Sequence, residues 1–482
     1  MALKLKLIFG ILFLLFFVSN KSISAVANNG YKIKITVAGI KDTMCYLAYY
    51  YGDKQYIRDS SMANSKGEFT FTGKEELPGG IYLVVLPGKR FFEIIVDKDQ
   101  AFSWEAEMDK LDDFNFMKTS GSEDNSLFLD YTKFITIRGK NSERLKKNSA
   151  SAKENGDSLL VNSIKDSMMV NDKQVLDYKK DFVKKHPDSF LTIVFKGMFD
   201  PDIPEIPVLS NGRPDSTFRF RFYKQHFWDN IDFSDDRIVR TPVYHNKLKN
   251  YIMTLTLQTP DSIIAAADML IERSRGAKEL FKYTVWFVTY NYETSNIMGM
   301  DEVFVHMAEK YYMTKEAFWV DEATLYRITD RAMTTKPLLL GRKAPNLVLK
   351  DLHGKYQSLH DVDAKYTIVV FWNPDCGHCK KEMPVLDSLY LQVHKKGVEV
   401  YAVCAESELD KWRDYIKEHN LNWINVSDST FQSGFKKLYD IQSTPIIYIL
   451  DSKKQIIAKK ISAEQAGEIL ENRFKNDLIL HD

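Results

Sequence analysis

The first pattern along the chain is an alternation of apolar and polar positions that predicts β-strands. The clearest segments are "YKIKITV", "EFTFTG", "IYLVVL" and "FFEIIVD", and turn sequences such as "SKGE" and "LPGK" separate them. A period of two is typical of a strand with one buried face. The pattern predicts a small antiparallel β domain over residues 28–119.

Helical spacing replaces the alternation from residue 120 onward. Asn125 is a candidate cap for a helix whose apolar positions include Phe128, Tyr131 and Phe134. The lysine- and serine-rich "KNSERLKKNSASAKENGDS" fits a solvated helix or loop, and "FDPDIPEIPVLSNGRPDS" holds too many prolines for a helix. We predict a mainly helical domain over residues 120–334.

Predicted strands and helices alternate in the last third of the chain. The strands are "NLVLKD", "YTIVVFW", "VEVYAVCA" and "NWINVS", and a hairpin, "TPIIYILDSKKQIIAKKIS", precedes a terminal helix. Alternation of this kind predicts a sheet with parallel pairs joined by right-handed crossovers. The predicted fold class is therefore multidomain, with a β domain, a mostly α-helical middle domain and an α/β domain over residues 335–482.

Residues 1–27 follow neither pattern. Lys4 and Lys6 precede the apolar run "LIFGILFLLFFV", which polar residues and then "AVA" follow. This order is typical of a secretory signal peptide, and the run is shorter than the roughly 20 residues that span a bilayer. We expect cleavage near Ala27, export to the periplasm and no stable membrane insertion afterwards; an uncleaved anchor is the alternative.

Charge and cysteine content narrow the function. The chain of 482 residues has 66 basic and 65 acidic residues, so its net charge of +1 provides no field that would attract nucleic acid. Its four cysteines are too few for a disulfide-stapled scaffold. Cys45 and Cys404 stand alone and fit buried strand thiols, whereas Cys376 and Cys379 form a C-x-x-C pair that suggests catalytic use.

Other uses of a C-x-x-C pair fit poorly. A structural zinc site needs four ligands, and no second pair of cysteines or closely spaced histidines follows. Covalent haem needs a histidine directly after the second cysteine, where this chain has Lys380. Peroxiredoxins carry a threonine or serine three residues before the reactive cysteine, where this chain has Asn373. We therefore expect no metal and no cofactor.

A redox pair fits the neighbouring sequence. A strand ends at Trp372, so we expect Cys376 at the beginning of the next helix, where unpaired N–H groups and the helix dipole lower a thiol pKa. Cys379 follows one turn later, on the side that faces the core with Met383 and Leu386. The spacing predicts an attacking thiol at Cys376 and a resolving thiol at Cys379.

Three sequence segments resemble the exported TlpA-like and ResA-like thiol–disulfide oxidoreductases, which have the thioredoxin fold and fall within the AhpC/TSA grouping. They are "LGRKAPNLVLKDLHGKYQSL", "FWNPDCGHCKKEMP" and "STPIIYILD". The resemblance implies that Cys376 is the nucleophile, that Cys379 resolves the mixed disulfide and that the two form a redox-active disulfide. It also implies a cis-proline at Pro445, facing the pair, and an aromatic support at Trp372.

The resemblance is incomplete at the position of the buried aspartate of thioredoxins, where this chain has Val370. Glu382 is the substitute that the ResA-like pattern suggests for proton transfer. Between the cysteines stand Gly377 and His378, the "CGHC" that protein disulfide isomerase also has. A protonated imidazole beside the sulfur of Cys376 would stabilise its thiolate.

The sequence thus predicts an exported oxidoreductase that exchanges its dithiol with protein thiols and disulfides and supports redox homeostasis of the cell. A reductase that a membrane-bound donor supplies with electrons is the favoured form. A disulfide oxidase or isomerase and a thiol peroxidase are the enzymatic alternatives. The alternative of another class is a non-catalytic scaffold that uses the fold for docking.

Overall fold

The computed structural model describes residues 30–407 and 409–479, so the predicted signal peptide lies outside the described residues. The chain divides into two compact units. The first comprises residues 30–48 and 57–171, and the second comprises residues 49–56 and 172–479. The domain boundaries drawn from the sequence stay predictions.

The strands between residues 31 and 120 form two four-stranded sheets, in the orders β4-β1-β7-β8 and β3-β2-β5-β6. The strands are β1 (Tyr31–Ala38), β2 (Thr43–Tyr51), β3 (Lys54–Ala63), β4 (Glu68–Gly73), β5 (Gly80–Val85), β6 (Phe91–Val96), β7 (Ala101–Glu107) and β8 (Lys118–Ser120). In β1 the buried Ile33, Ile35 and Val37 alternate with more exposed positions, so the alternation in the sequence marks the core face.

The pairing of β1 with β7 is parallel, which differs from the purely antiparallel domain that the sequence suggested. Its neighbours β4 and β8 pair antiparallel with β1 and β7. Strands β1 and β7 are distant in sequence, and the chain enters the other sheet between them. No short hairpin therefore fixes their relative direction.

Asn125 is a buried anchor and not the predicted helix cap. The helix begins at Glu123, and the side chain of Ser122 caps it. The Asn125 side chain instead exchanges two hydrogen bonds with the backbone of Ile95, at 2.9 and 2.7 Å, and accepts one from the indole of Trp104 at 3.2 Å. A fully buried amide needs such partners, so it pins the helix to strand β6.

Helices dominate residues 123–335. They are α1 (Glu123–Glu154), α2 (Ser158–Lys185), α3 (Phe190–Met198), α4 (Phe218–His226), α5 (Pro242–Asn250), α6 (Pro260–Arg273), α7 (Lys278–Glu293), α8 (Asp301–Met307) and α9 (Glu322–Thr335). The lysine- and serine-rich stretch is helical, whereas the proline-rich stretch is not. Among the helices that the structure describes, none combines the length and apolar character needed to cross a bilayer.

A seven-stranded sheet follows, in the order β10-β9-β13-β12-β11-β14-β15. Its elements are β9 (Val348–Asp351), β10 (Tyr356–Ser358), β11 (Tyr366–Trp372), α10 (Cys379–Val393), β12 (Val398–Cys404), α11 (Asp410–His419), β13 (Ile424–Ser427), α12 (Phe435–Leu438), β14 (Ile446–Asp451), β15 (Ile456–Ile461) and α13 (Ala463–Ile479). Strand β11 is buried throughout and runs parallel to β12 and antiparallel to β14. These three parts confirm the multidomain fold class.

Buried charges join the helical region to this sheet within the second unit. The Lys459 ammonium, on β15, contacts the Asp301 carboxylate on α8 and donates to the carbonyl of Leu338 at 2.5 Å. Asp440, only 3% exposed, accepts from Arg331 on α9 and from Lys460 at 3.0 Å. Burial alone would raise the pKa of Asp440, but the two cations lower it below its ordinary value.

We expect Asp440→Asn to destabilise this unit. Residue 440 has a φ of +52°, which asparagine tolerates, so the substitution removes charge with little backbone strain. Breaking a buried pair is costly, but both cations are partly exposed, so we expect a loss of about 1–3 kcal/mol at pH 7. Because the folded pKa is depressed, the difference from wild type should shrink as the pH falls below about 4. Urea unfolding at several pH values measures it.

Asp330→Asn is the matched control, because Lys437 and Asp330 form an exposed ion pair between α12 and α9 at 2.8 Å. It should cost less than about 1 kcal/mol. Equal effects of the two substitutions, or an Asp440→Asn effect that does not change with pH, would contradict the interpretation.

Candidate active site

The two cysteines lie at the junction of β11 and α10. Strand β11 ends at Trp372, and α10 begins at Cys379, whereas Cys376 was expected at the beginning of the helix. Cys376 therefore lies in the turn before the helix. Its carbonyl nevertheless accepts the N–H of Lys380 at 3.0 Å, which is the bonding pattern of a first helical turn. Cys376 thus stands where helix N–H groups are unpaired.

The environment of Cys376 favours its thiolate. The sulfur is partly exposed and lies 3.2 Å from the carbonyl oxygen of Thr444. Burial raises its pKa, but hydrogen bonds from the backbone N–H groups of Cys379 and His378 help to lower it, and the net direction is downward. The Thr444–Pro445 peptide bond is cis, as the resemblance implied. The proline loop and the helix start thus meet at this sulfur.

Cys379 has the opposite environment. It is 1% exposed and packs in the core with Met383 and Leu386. Burial raises its pKa to about 11, although the backbone N–H of Asn373 donates to the sulfur at 3.4 Å and partly offsets this. A thiol in this position can meet Cys376 but is closed to a large substrate.

Neither of the other two thiols resembles Cys376. Cys404, at the end of β12, is fully buried, and burial raises its pKa to about 12. Cys45, on β2, is also buried and has a pKa raised to about 11 for the same reason. All four cysteines are free thiols, so the structure shows the reduced pair. Among them, Cys376 alone combines exposure with a lowered pKa.

The supporting residues differ in what they contact. Trp372 is fully buried and packs on Tyr415 of α11, with ring centroids 5.1 Å apart. Gly377 and His378 are exposed on the turn. A Cβ at Gly377 would meet nothing within 4 Å, so local packing does not require glycine there. The backbone N–H of His378 helps to lower the pKa of Cys376, and no contact of the His378 imidazole is described.

Glu382 has a structural partner that the sequence did not reveal. It is half-buried on the first turn of α10, and its Oε2 accepts the N–H of Ala463 at 2.8 Å. Ala463 begins α13, so the carboxylate caps a helix from a distant part of the chain. The part that Glu382 plays in proton transfer stays a prediction.

Sequence reasoning missed Asn373 and Glu406. The amide of Asn373 donates to Oε2 of Glu406 at 2.7 Å, and the backbone of Asn373 contacts both cysteines. Glu406 follows the end of β12, the parallel neighbour of β11. Carboxyl ends of adjacent parallel strands converge at one edge of a sheet, so a polar residue after β12 was the available signal. Among the described residues, no cluster of three or more histidine, cysteine or acidic side chains could hold a metal ion.

Comparisons with known families cover all three parts of the chain. The AhpC/TSA family matches residues 340–459. Two domains of unknown function, DUF4369 and DUF5106, match residues 31–128 and 162–336. A crystal structure of a domain of a possible thiol-disulfide isomerase from Cytophaga hutchinsonii is 45% identical and covers 29% of this chain and 96% of that domain, with a TM-score of 0.28.

Curated relatives match the same last third of the chain. The thiol-disulfide oxidoreductase ResA of Bacillus thuringiensis subsp. konkukian is 32% identical over 136 residues, which are 28% of this chain and 77% of the relative. ResA of Bacillus subtilis is 29% identical over 117 residues, 24% of this chain and 64% of the relative. With its C-x-x-C pair at the start of a helix and a cis-proline beside it, this chain belongs to the ResA-like thiol–disulfide oxidoreductases of the AhpC/TSA family.

Proposed function

We propose that this protein is an exported reductase of protein disulfides in which Cys376 attacks and Cys379 resolves. The observation that carries the proposal is the contrast between the two thiols. Cys376 is partly exposed and has a lowered pKa, whereas Cys379 is buried and has a pKa raised to about 11. The basic, apolar and small-residue pattern of residues 1–27 supports action in the periplasm.

The reaction is a sequence of two thiol–disulfide exchanges. The Cys376 thiolate attacks one sulfur of the substrate disulfide, forms a mixed disulfide and displaces the first substrate thiolate. The Cys379 thiolate then attacks the sulfur of Cys376 and displaces the second. Two electrons pass from the protein dithiol to the substrate, and the Cys376–Cys379 disulfide remains. A thiol donor at the membrane restores the dithiol by the reverse exchange.

Proton transfer is the difficult part of the second step. A thiol with a pKa of about 11 holds little thiolate at neutral pH, so Cys379 needs a base. We propose Glu382, three residues beyond Cys379 on α10, for this role. Pro445 in its cis form and the aromatic Trp372 shape the surroundings of the pair.

The direction of exchange depends on the reduction potential and on the supply of electrons. Protein disulfide isomerase, which has the same "CGHC", lies near −180 mV, and thioredoxin lies near −270 mV. Stabilising the Cys376 thiolate favours the reduced pair and raises the potential. We expect an intermediate value and a reductase role, because a donor that keeps the pair reduced can drive reduction at such a potential. Oxidation or isomerisation is the alternative.

The first prediction concerns the thiol that reacts with substrate. Iodoacetamide at mildly acidic pH should label Cys376 in the reduced protein and leave the other cysteines unlabelled, because it alone has a lowered pKa. Cys379→Ser should accumulate covalent partners in cells, since the mixed disulfide cannot be resolved. Mass spectrometry identifies both products. Preferential labelling of Cys379 or Cys404 would assign the attack to another thiol.

The second prediction separates the two possible roles of Glu382. Glu382→Gln keeps an oxygen that can accept from Ala463 but removes the base, so resolution should slow by about 10- to 100-fold while stability is unchanged. Glu382→Ala should slow resolution and also lower stability by about 1 kcal/mol, the usual cost of a lost cap. Stopped-flow and urea unfolding measure these effects. An unchanged rate and pH profile in Glu382→Gln would leave the carboxylate with its capping role alone.

The third prediction tests direction in the cell. Acid quenching followed by alkylation should find the Cys376–Cys379 pair mostly reduced at steady state, because a reductase attacks its substrate only in the dithiol form. A chain with both cysteines replaced by serine gives the baseline for the remaining thiols. A fully oxidised pair would favour an oxidase.

A further inference from the structure

The backbone of Asn373 forms a hydrogen bond with each of the two cysteines. Its N–H donates to Sγ of Cys379 at 3.4 Å, and its carbonyl accepts the N–H of Cys376 at 3.1 Å. It is the first residue after β11, so it follows directly on a fully buried strand. A small rotation of this one residue would therefore move the donor on Cys379 and the turn that carries Cys376.

The side chain of Asn373 is fixed from two directions. Its Nδ2 donates to Oε2 of Glu406 at 2.7 Å, and its Oδ1 accepts the N–H of Asp375 at 2.7 Å. The other oxygen of Glu406 accepts the N–H of Ser407 at 3.1 Å. Hydrogen bonds to a carboxylate are shorter and stronger than neutral ones, and Glu406 is half-buried. The loop after β12 thus clamps the turn after β11.

We propose that Glu406 is a positioning residue for the resolving thiol: its carboxylate holds Asn373 so that the N–H of that residue stays on the Cys379 sulfur during the second exchange. The inference rests on the proposed two-thiol reaction. A hydrogen-bond donor that contacts a buried thiolate stabilises the thiolate relative to the thiol. The thiolate of Cys379 exists only briefly, so losing the donor would slow its attack.

Glu406 could act either by holding Asn373 in place or as a base that takes a proton, and the two roles can be distinguished. The described contacts of the Glu406 carboxylate are the amide of Asn373 and the N–H of Ser407, and neither is a sulfur. A glutamine at this position would keep an oxygen that accepts from Asn373 but could not take a proton. Glu406→Gln should therefore retain the function, whereas Glu406→Ala should lose it.

Several other groups titrate near Cys379 and have to be followed with it. They are Cys376 in the turn, Cys404 on β12 and Tyr415 on α11, and the proposed base Glu382 is unchanged in every variant. All are present in wild type and in every Glu406 variant. The Glu406 carboxylate also helps to raise the pKa of Cys404, so the variants change the surroundings of that thiol and its labelling is followed alongside that of Cys379.

The test is stopped-flow reaction of the reduced full chain with 5,5′-dithiobis(2-nitrobenzoate). Attack by Cys376 releases one thionitrobenzoate, and attack by Cys379 on the mixed disulfide releases a second. In Glu406→Ala the second phase should be at least about 10-fold slower at pH 7, as loss of a hydrogen bond to a charged group implies, and its pH midpoint should rise. The first phase should stay within about 3-fold of wild type.

Three variants complete the design. Glu406→Gln should restore the second phase to within about 3-fold of wild type, and Asn373→Ala, which removes the clamp from its other end, should repeat the Glu406→Ala result. Glu418→Ala, which removes an exposed carboxylate of α11, should match wild type in both phases.

Each other outcome overturns the inference. An unchanged second phase in Glu406→Ala means that the clamp is unimportant, and a Glu406→Gln phase as slow as that of Glu406→Ala means that the charge is required. Loss of the first phase in both Glu406→Ala and Asn373→Ala would make these residues general supports of the site. A wild-type chain without any second phase would refute the two-thiol reaction itself.

Discussion

The two thiols of the C-x-x-C pair must differ in pKa, and the junction of β11 with α10 produces that difference. The strand before the pair is buried along its whole length, so Cys379, on the first residue of the helix, is enclosed by the core. Cys376 lies in the turn, where the N–H groups of His378 and Cys379 are free to reach its sulfur. The two thiols therefore differ in environment although they are three residues apart.

Periodicity predicted the kinds of structure well and their ends less well. Alternation marked the core face of β1, and an uninterrupted apolar run marked the central strand β11. Cys376, expected at the beginning of α10, lies in the turn before it, because the residues at a helix end do not fix its first turn from sequence alone. Asn125 has a residue type that suits a cap, yet tertiary contacts with Ile95 and Trp104 decide its role. The parallel pair β1–β7 depends on a crossover that local patterns do not record.

The same contrast between local sequence patterns and distant contacts holds for the active site. The cysteine pair and Pro445 were visible because short motifs carry them. The partners of Asn373 and Glu382 were not, since they lie 33 and 81 residues away in sequence. Such contacts can be predicted once strand order is known, because β11 and β12 end at the same edge. The sequence alone suggests no role for a glutamate after β12. The hydrogen bond from Asn373 to Glu406 suggests one.

The charges buried between the sheet and the helical region bear on the independence of the redox part. Lys459 lies on β15 and Asp440 in the turn after α12, but Asp301 and Arg331, which pair with them, come from the helices before the sheet. A segment cut out at residue 338 would therefore leave the Lys459 ammonium without Asp301 and the Asp440 carboxylate with Lys460 but without Arg331. The two parts have become electrostatically interdependent, so exchanging this module for that of a relative would require the helical face to be exchanged with it.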